Sequence, residues 1–206
     1  MVKIIVLLAG YPATGKSFLC NKIIKKYPAF EVVSQDDKKE KLWDKYGFCN
    51  IQEKIALEMR GWECYYNDID QKMKLGKMII SDYPFSEKQK EKLESIAKKN
   101  YYKIITIRLV GDIDVLYERS KKRDLSPDRH LGHLVSHYHK GDKMVDRSQA
   151  DCFVTYEIFK ERCLERGYDT FELGYLIEVD ATEYNKINYE KILEEIGALL
   201  RGEEAR

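Results

Sequence analysis

The stretch GYPATGKS, residues 10–17, constrains the fold of this 206-residue chain more than any other. It follows residues 2–8, an apolar run rich in β-branched side chains, and precedes residues 15–27, whose apolar positions form one helical stripe before Pro28. A nearly continuous apolar run is typical of a strand that is covered on both faces of a parallel sheet. The sequence therefore predicts a strand, a tight glycine loop and a helix in direct succession.

Strands and helices alternate along the rest of the chain. Further strands are predicted at residues 30–33, 77–81, 103–110 and 173–180. Helices are predicted at residues 37–46, 51–75, 87–99 and 192–200, and one more is expected after Asp112, a candidate N-cap. Ser86 and Gln89 form a capping-box pattern at the start of the helix at residues 87–99. Gly61 allows a break or bend in the helix at residues 51–75, because glycine costs a helix about 1 kcal/mol relative to alanine. This alternation predicts an α/β fold, a parallel sheet with helices on both faces.

The glycine loop matches G-x-x-x-x-G-K-[ST], the phosphate-binding P-loop. Its glycines allow successive N–H groups to face a phosphate chain, and the following helix adds the positive end of its dipole. We expect the Lys16 ammonium beside the β- and γ-phosphates of ATP and the Ser17 hydroxyl on Mg²⁺. A chance glycine turn before a capped helix is the alternative. The predicted nucleotide-binding residues are Gly10, Ala13, Thr14, Gly15, Lys16, Ser17 and Phe18.

A second ligand for the metal is expected at the end of a neighbouring strand. Asp82 closes the run KMIISD and is the candidate, holding Mg²⁺ through water. Alternatively, Asp82 only caps the turn before Pro84. The P-loop and Asp82 together predict ATP and Mg²⁺ as cofactors.

Transfer of a phosphoryl group, unlike hydrolysis, needs a group that deprotonates an acceptor hydroxyl while water is kept away. Asp36 and Asp37 follow the second strand, whose carboxyl end faces the same crevice as the P-loop. We assign Asp36 as the candidate general base and Lys39 as a candidate contact for an acceptor anion. Alternatively, Asp36 only N-caps the helix after it.

Basic residues follow the fourth strand. Arg119 and Arg123 are four residues apart and lie on one face of the helix predicted there. Their guanidinium groups would close over the phosphates and neutralise charge on the transferred group, which makes them candidate catalytic residues beside Lys16 and Asp36. Arg129 is a further candidate for phosphate contact. The alternative is an exposed basic helix without function.

Residues 123–150 interrupt the alternation. They are polar and contain Pro127, two glycines and all four histidines. We expect a lid or insertion over about residues 119–150, within a single domain of residues 1–206. His130, His133 and His137 recur at steps of three and four, which favours one side of a polar lid helix over a metal site.

Composition limits the possible partners. Lys and Arg total 36 against 35 Asp and Glu, so the chain lacks the global basic field that holds proteins on nucleic acid. The apolar start is too short for a signal peptide, and no run approaches the length of a membrane span. Five dispersed cysteines fit reduced thiols. We expect a cytoplasmic protein that acts without a membrane or an obligate protein partner.

These motifs together resemble the small P-loop kinases that include the phage-type polynucleotide 5′-hydroxyl kinases, zeta toxins and chloramphenicol phosphotransferase. The resemblance spans about residues 1–140 and is carried by the P-loop, the DDKK box at residues 36–39, the strand end at residues 79–82, and the paired arginines. It implies a sheet of order 2-3-1-4-5, Asp36 as general base and Arg123 as lid arginine. It also places residues 181–185 at the wall of the adenine pocket.

The acceptor is less constrained than the reaction. Lys39 stands where the polynucleotide kinases have arginine, and lysine lacks the bidentate fork that suits a nucleic-acid phosphate. We therefore expect an ATP-dependent kinase that phosphorylates a hydroxyl of a small molecule. A polynucleotide 5′-hydroxyl kinase and a regulatory ATPase without an acceptor are the alternatives.

Overall fold

A five-stranded parallel sheet forms the centre of the protein. The structure is a computed structural model and describes residues 2–203. Its strands are β1 (Ile4–Gly10), β2 (Phe30–Val32), β3 (Met78–Asp82), β4 (Lys103–Val110) and β5 (Tyr175–Asp180). They are ordered β2-β3-β1-β4-β5, and each neighbouring pair is parallel, so the predicted sheet and its order are confirmed.

Helices cover both faces of this sheet. In residues 2–203 they are α1 (Lys16–Lys26), α2 (Gln35–Tyr46), α3 (Ile51–Lys74), α4 (Glu87–Asn100), α5 (Ile113–Leu125), α6 (Tyr156–Glu165) and α7 (Tyr189–Arg201). Apolar residues of α1 and α7 pack in the core on one face. Those of α3 and α4 pack in the core on the other. The described residues contain no helix whose length and hydropathy together suffice to cross a bilayer.

The central strand β1 is buried along its whole length. Ile4, Val6 and Leu8 pack in one core, whereas Ile5 and Leu7 pack in the other, because successive side chains of a strand point to opposite faces. Burying each such side chain contributes about 1.5–3 kcal/mol. The apolar run of the sequence therefore fixes the middle of the sheet and, with it, the position of the loop that follows.

Local signals in the sequence set several helix ends. Ser86 and Gln89 form the predicted capping box of α4, and the Val115 N–H donates to the Asp112 carboxylate at 3.0 Å. The helix is not broken at Gly61, since α3 runs unbroken for 24 residues. A Cβ at Gly61 would lie 3.3 Å from the Cβ of Lys39, so this glycine allows α2 and α3 to approach closely.

The α5–α6 segment, residues 126–155, differs from the prediction. The polar helix expected through His130, His133 and His137 is wrong, because only Leu131–His133 form a single 3₁₀ turn there. Apolar side chains of this segment instead surround Trp43 of α2 in a third core. Tertiary packing thus decides its conformation: Gly132 lies so close to Trp43 that a Cβ would be 2.6 Å from its Cε3.

Two other features were not predicted. Helix α6 was missed because its apolar residues show only weak helical spacing; Phe159 and Cys163 are its buried residues. Strand β5 begins at Tyr175, two residues later than predicted, because Gly174 has φ +69° and a Cβ there would be 2.1 Å from the Ile104 carbonyl oxygen.

Candidate active site

A cavity of about 430 Å³ opens beside the P-loop, at the end of the sheet where β1 and β3 finish. This volume is within the range of about 300–1,000 Å³ that is typical of small-molecule sites. Its wall includes all four residues predicted to be catalytic: Lys16, Asp36, Arg119 and Arg123. The fold therefore brings together side chains from α1, α2 and α5 that are far apart in the sequence.

The backbone of the P-loop has the conformation that its glycines permit. Gly10 has φ +103°, and a Cβ there would lie 1.9 Å from the Leu109 carbonyl oxygen. Gly15 has φ +85° at the start of α1. The predicted nucleotide contacts at residues 13–18 all line the cavity. Gly10 ends β1 behind them, so its contribution is to the shape of the turn.

Lys16 is buried and folded back onto its own loop. Its Nζ donates to the carbonyl oxygens of Tyr11, at 2.5 Å, and Gly10, at 3.3 Å. Burial lowers the pKa of Lys16 to about 7, despite the opposing effect of Asp82. The Lys16 Nζ also donates to the Thr14 hydroxyl at 3.3 Å. An ammonium held only by neutral oxygens is incompletely compensated, and the phosphates of a nucleotide would supply the missing negative charge.

The two predicted metal ligands are neighbours. The Ser17 hydroxyl donates to a carboxylate oxygen of Asp82 at 2.7 Å. Parallel pairing of β1 with β3 sets Asp82 opposite Leu8, near the end of β1 that leads into the P-loop. A hydroxyl and a carboxylate beside a phosphate-binding loop are the hard oxygen donors that Mg²⁺ prefers, so these residues fit the ion.

Asp36 lies across the cavity in the first turn of α2. The hydroxyl of Ser34 caps this helix by accepting from the Asp37 N–H, so the alternative that Asp36 is the N-cap is wrong. Lys39 Nζ lies 2.7 Å and Arg129 Nη1 3.8 Å from its carboxylate oxygens. Burial alone would raise the pKa of Asp36, but the neighbouring cations, Lys39 foremost, outweigh it and hold the pKa well below its usual range.

Arg119 is anchored to the loop after β5. Its guanidinium donates to the carbonyl oxygens of Ala181, at 2.6 Å, and Thr182, at 2.7 Å. Its central carbon lies 3.7 Å from the ring centroid of Tyr184, whose hydroxyl donates to the Ala13 carbonyl. Arg119 thus lines the cavity at residues 181–185 instead of extending freely over the P-loop.

Arg123 and Arg129 share one buried carboxylate. Asp124 accepts from Arg123 Nε at 3.0 Å and lies 3.6 Å from Arg129 Nε. Arg123 also donates to the Ser120 hydroxyl. Asp124 is therefore a positioning residue that holds the two guanidinium groups beside the cavity.

The histidines of the α5–α6 segment have separate environments. His133 Nε2 lies 2.6 Å from a Glu40 oxygen, and burial holds the pKa of His133 well below its usual range. His130 contacts Asp44. His137, His139 and Asp142 are exposed and have ligand atoms within 4.8 Å of one another, so these three are the group of this segment that could hold a metal ion.

Helix α6 contributes residues to the cavity that sequence reasoning missed. Arg162 and Arg166 line it, as does Tyr168 just after the helix. No motif marks them, and the helix that carries them has a weak apolar period. The sequence signal for them was the spacing of two arginines by four residues. This spacing indicates a site only once α6 is known to pack beside α5 through Phe159 and Leu116.

Solved structures of other proteins match this structure to different degrees. A "putative kinase" from Chloroflexus aurantiacus J-10-fl is 23% identical and matches over 96% of this chain and 98% of its own, with a TM-score of 0.74. A gluconokinase from Sinorhizobium meliloti 1021 matches over 97% of this chain and 92% of its own, at 14% identity and a TM-score of 0.48. The first of these likenesses shows a common fold. A sequence search among curated proteins finds no match.

A sequence-family comparison identifies the group. The model of a family described as an AAA domain matches residues 5–136, which is well over half of the chain. The narrower relation to polynucleotide kinases, zeta toxins and chloramphenicol phosphotransferase stays a prediction. The matched residues include the P-loop, Asp36, Asp82, Arg119 and Arg123, and the chain therefore belongs to this AAA domain family of P-loop proteins.

Proposed function

We propose that the protein is a kinase that uses ATP and Mg²⁺ to phosphorylate a hydroxyl group of a small-molecule acceptor. One observation carries the proposal: the cavity that contains the P-loop also contains Asp36, an ionised carboxylate set among cations. A protein that only binds a nucleotide does not need such a carboxylate, whereas a kinase needs a group that orients the acceptor hydroxyl.

The P-loop and α5 would hold the nucleotide. Backbone N–H groups and Lys16 grip the phosphates, and Arg123 neutralises charge on the transferred group. Arg119 and Tyr184 form a flat cationic and aromatic surface beside residues 181–185, which suits the adenine base. Ser17 and Asp82 would hold Mg²⁺, which supplies charge neutralisation at the phosphates when it is bound.

Asp36 would orient the acceptor. The acceptor oxygen forms a bond to the γ-phosphorus while the bond from that phosphorus to the bridging oxygen of ADP breaks, and ADP leaves. The hydroxyl proton passes to Asp36 and then to solvent. Phosphoryl transfer has a loose transition state and depends mainly on position and charge, so a carboxylate of low basicity is adequate for this role.

An acceptor screen tests the proposal. The protein is incubated with ATP, Mg²⁺ and a panel of sugars, sugar acids, nucleosides, phosphorylated alcohols and 5′-hydroxyl oligonucleotides, and each product is examined for the mass of an added phosphoryl group. We expect transfer to a small molecule, and we expect Asp36→Asn to slow this transfer strongly. Transfer to oligonucleotides alone would favour the polynucleotide kinase. Hydrolysis of ATP that no hydroxyl compound changes would favour the regulatory ATPase.

A further inference from the structure

Arg162 of α6 and Arg166, the C-cap residue of that helix, line the cavity, and neither has a counter-ion among residues 2–203. Arg162 and Arg166 are four residues apart and therefore lie on the same side of the helix. Buried Phe159 and Cys163 fix α6 in a small core with Tyr11 and Leu116. The arginines thus reach the cavity from a helix whose position is set by packing.

Their surroundings differ from those of Lys39 and Arg123, two cations of the cavity that contact carboxylates. Lys39 pairs with Asp36, and Arg123 pairs with Asp124. Within residues 2–203, no carboxylate makes an ion pair with Arg162 or Arg166, although Glu161 and Glu165 are on the same helix. Arg166 instead donates to the Tyr168 hydroxyl at 3.3 Å. An anion placed here would relieve the repulsion between neighbouring guanidinium groups.

Tyr83 lines the same cavity as Asp36 and the two arginines. Lys39 Nζ lies 5.7 Å from the centroid of the Tyr83 ring. Burial raises the pKa of Tyr83, Asp36 acts in the same direction, and Arg166 acts against it. The charges of Asp36 and Arg166 therefore act on the same side chain in opposite directions.

We use the name acceptor corner for five charged residues of the cavity wall: Asp36, Lys39, Arg129, Arg162 and Arg166. Its four cations exceed the carboxylates of Asp36 and the adjoining Asp124 by two charges. A phosphate monoester carries about 1.5–2 negative charges at neutral pH, and its oxygens match the fork of a guanidinium. A neutral acceptor would leave this charge excess without a partner.

We propose, on the basis of the kinase function above, that the acceptor carries a phosphate group of its own, which Arg162 and Arg166 bind. The hydroxyl near Asp36 is then the second site of phosphorylation, and the product is a bisphosphate. This assigns α6 to the selection of the acceptor, whereas the P-loop and α5 serve the nucleotide.

The test measures the binding of inorganic phosphate to the protein while an ATP analogue occupies the P-loop. The protein is saturated with Mg²⁺ and a non-hydrolysable ATP analogue, and calorimetry measures the binding of phosphate and of acetate, a monoanion. We expect phosphate to bind at least tenfold more tightly than acetate. The double variant Arg162→Gln, Arg166→Gln should bind phosphate at least tenfold more weakly, because each charged hydrogen bond contributes a factor of about ten or more. Lys160→Gln, an exposed change on the same helix, should have no effect.

The affinity of the analogue separates the possible outcomes. It should be equal in all three proteins; a loss in the double variant would assign the arginines to the nucleotide and overturn the inference. The inference would also be overturned if phosphate did not bind, or if the double variant bound phosphate as tightly as the unaltered protein. Binding of a 5′-hydroxyl oligonucleotide without binding of phosphate would overturn it as well. An analogue that fails to bind the unaltered protein would reject the kinase function itself, and this inference with it.

Discussion

At the scale of single residues, Lys16 and Asp36 share one cavity but respond differently to burial. Lys16 contacts mainly carbonyl oxygens, so burial lowers its pKa to about 7. Asp36 contacts Lys39 and Arg129, and these cations outweigh burial and hold the pKa of Asp36 below its usual range. In the free protein at neutral pH, Asp36 is therefore ionised while Lys16 is only partly charged.

This state of Lys16 couples nucleotide binding to proton uptake. Phosphates favour the charged amine, so the pKa of Lys16 rises when the P-loop is filled. We expect proton uptake on binding of ATP at pH 8, and an affinity that falls by up to about tenfold per pH unit above pH 7. Calorimetry at pH 8 in Tris and in Hepes buffers measures the uptake as a difference in apparent enthalpy.

The Lys16→Arg variant is the control for this coupling, because a guanidinium stays protonated throughout the range. It should bind without uptake if it binds at all, whereas Lys25→Arg, an exposed change on α1, should behave like the unaltered protein. Equal enthalpies in the two buffers for the unaltered protein would contradict the prediction.

Substitution of Asp36 tests its assignment to the acceptor. Asp36→Asn keeps the shape of the side chain but removes the carboxylate, so we expect turnover to fall by about 10²–10⁴-fold. The dissociation constant of ATP should change little. Steady-state kinetics with the acceptor and separate ATP titrations measure the two effects. Asp37→Asn, an exposed neighbour in the same turn of α2, should retain full turnover, and normal turnover of Asp36→Asn would refute the role.

At the scale of elements, the acceptor side of the cavity depends on contact between α2 and the α5–α6 segment. Trp43 of α2 is fully buried beneath that segment. The Phe48 and Tyr138 backbones form an isolated bridge, and the buried Lys54 donates to the Val135 carbonyl at 2.9 Å. These contacts position Arg129 and His133, which the segment contributes to the cavity.

Gly132→Ala should disturb this contact. The added methyl would lie 2.6 Å from Cε3 of Trp43, whose side chain is fully buried. Overpacking of this kind costs about 1–3 kcal/mol of unfolding free energy, which urea denaturation measures. Lys143→Ala, an exposed change in the same segment, should leave stability within about 0.5 kcal/mol. Unchanged stability of Gly132→Ala would show that the segment does not pack tightly on α2.

At the scale of the whole molecule, charge is distributed unevenly. The net formal charge is +1, yet seven lysine and arginine side chains and only three aspartates line the cavity. Such a site concentrates cations that repel one another until an anionic ligand binds. Ligand binding should therefore stabilise the folded protein as a whole.

Thermal unfolding measures this stabilisation. With Mg²⁺ and ATP at 100 times the dissociation constant, we expect about 2.7 kcal/mol and an increase in the melting temperature of roughly 5–10 °C. Lys16→Ala should fold but lose most of the shift, while Lys25→Ala should keep it. An equal shift for Lys16→Ala would mean that the nucleotide binds outside the P-loop.

The sequence alone determined the features that depend on local physics. The apolar run of β1 requires burial on both faces, the glycines of the P-loop permit backbone angles that other residues resist, and a carboxylate after each of β2 and β3 must reach the same edge of a parallel sheet. Tertiary structure alone decided the rest. Arg162 and Arg166 enter the cavity only because α6 packs beside α5. The α5–α6 segment does not form the predicted helix because its apolar side chains are buried against Trp43 instead. Packing between distant elements leaves no periodic signal in the residues that it brings together.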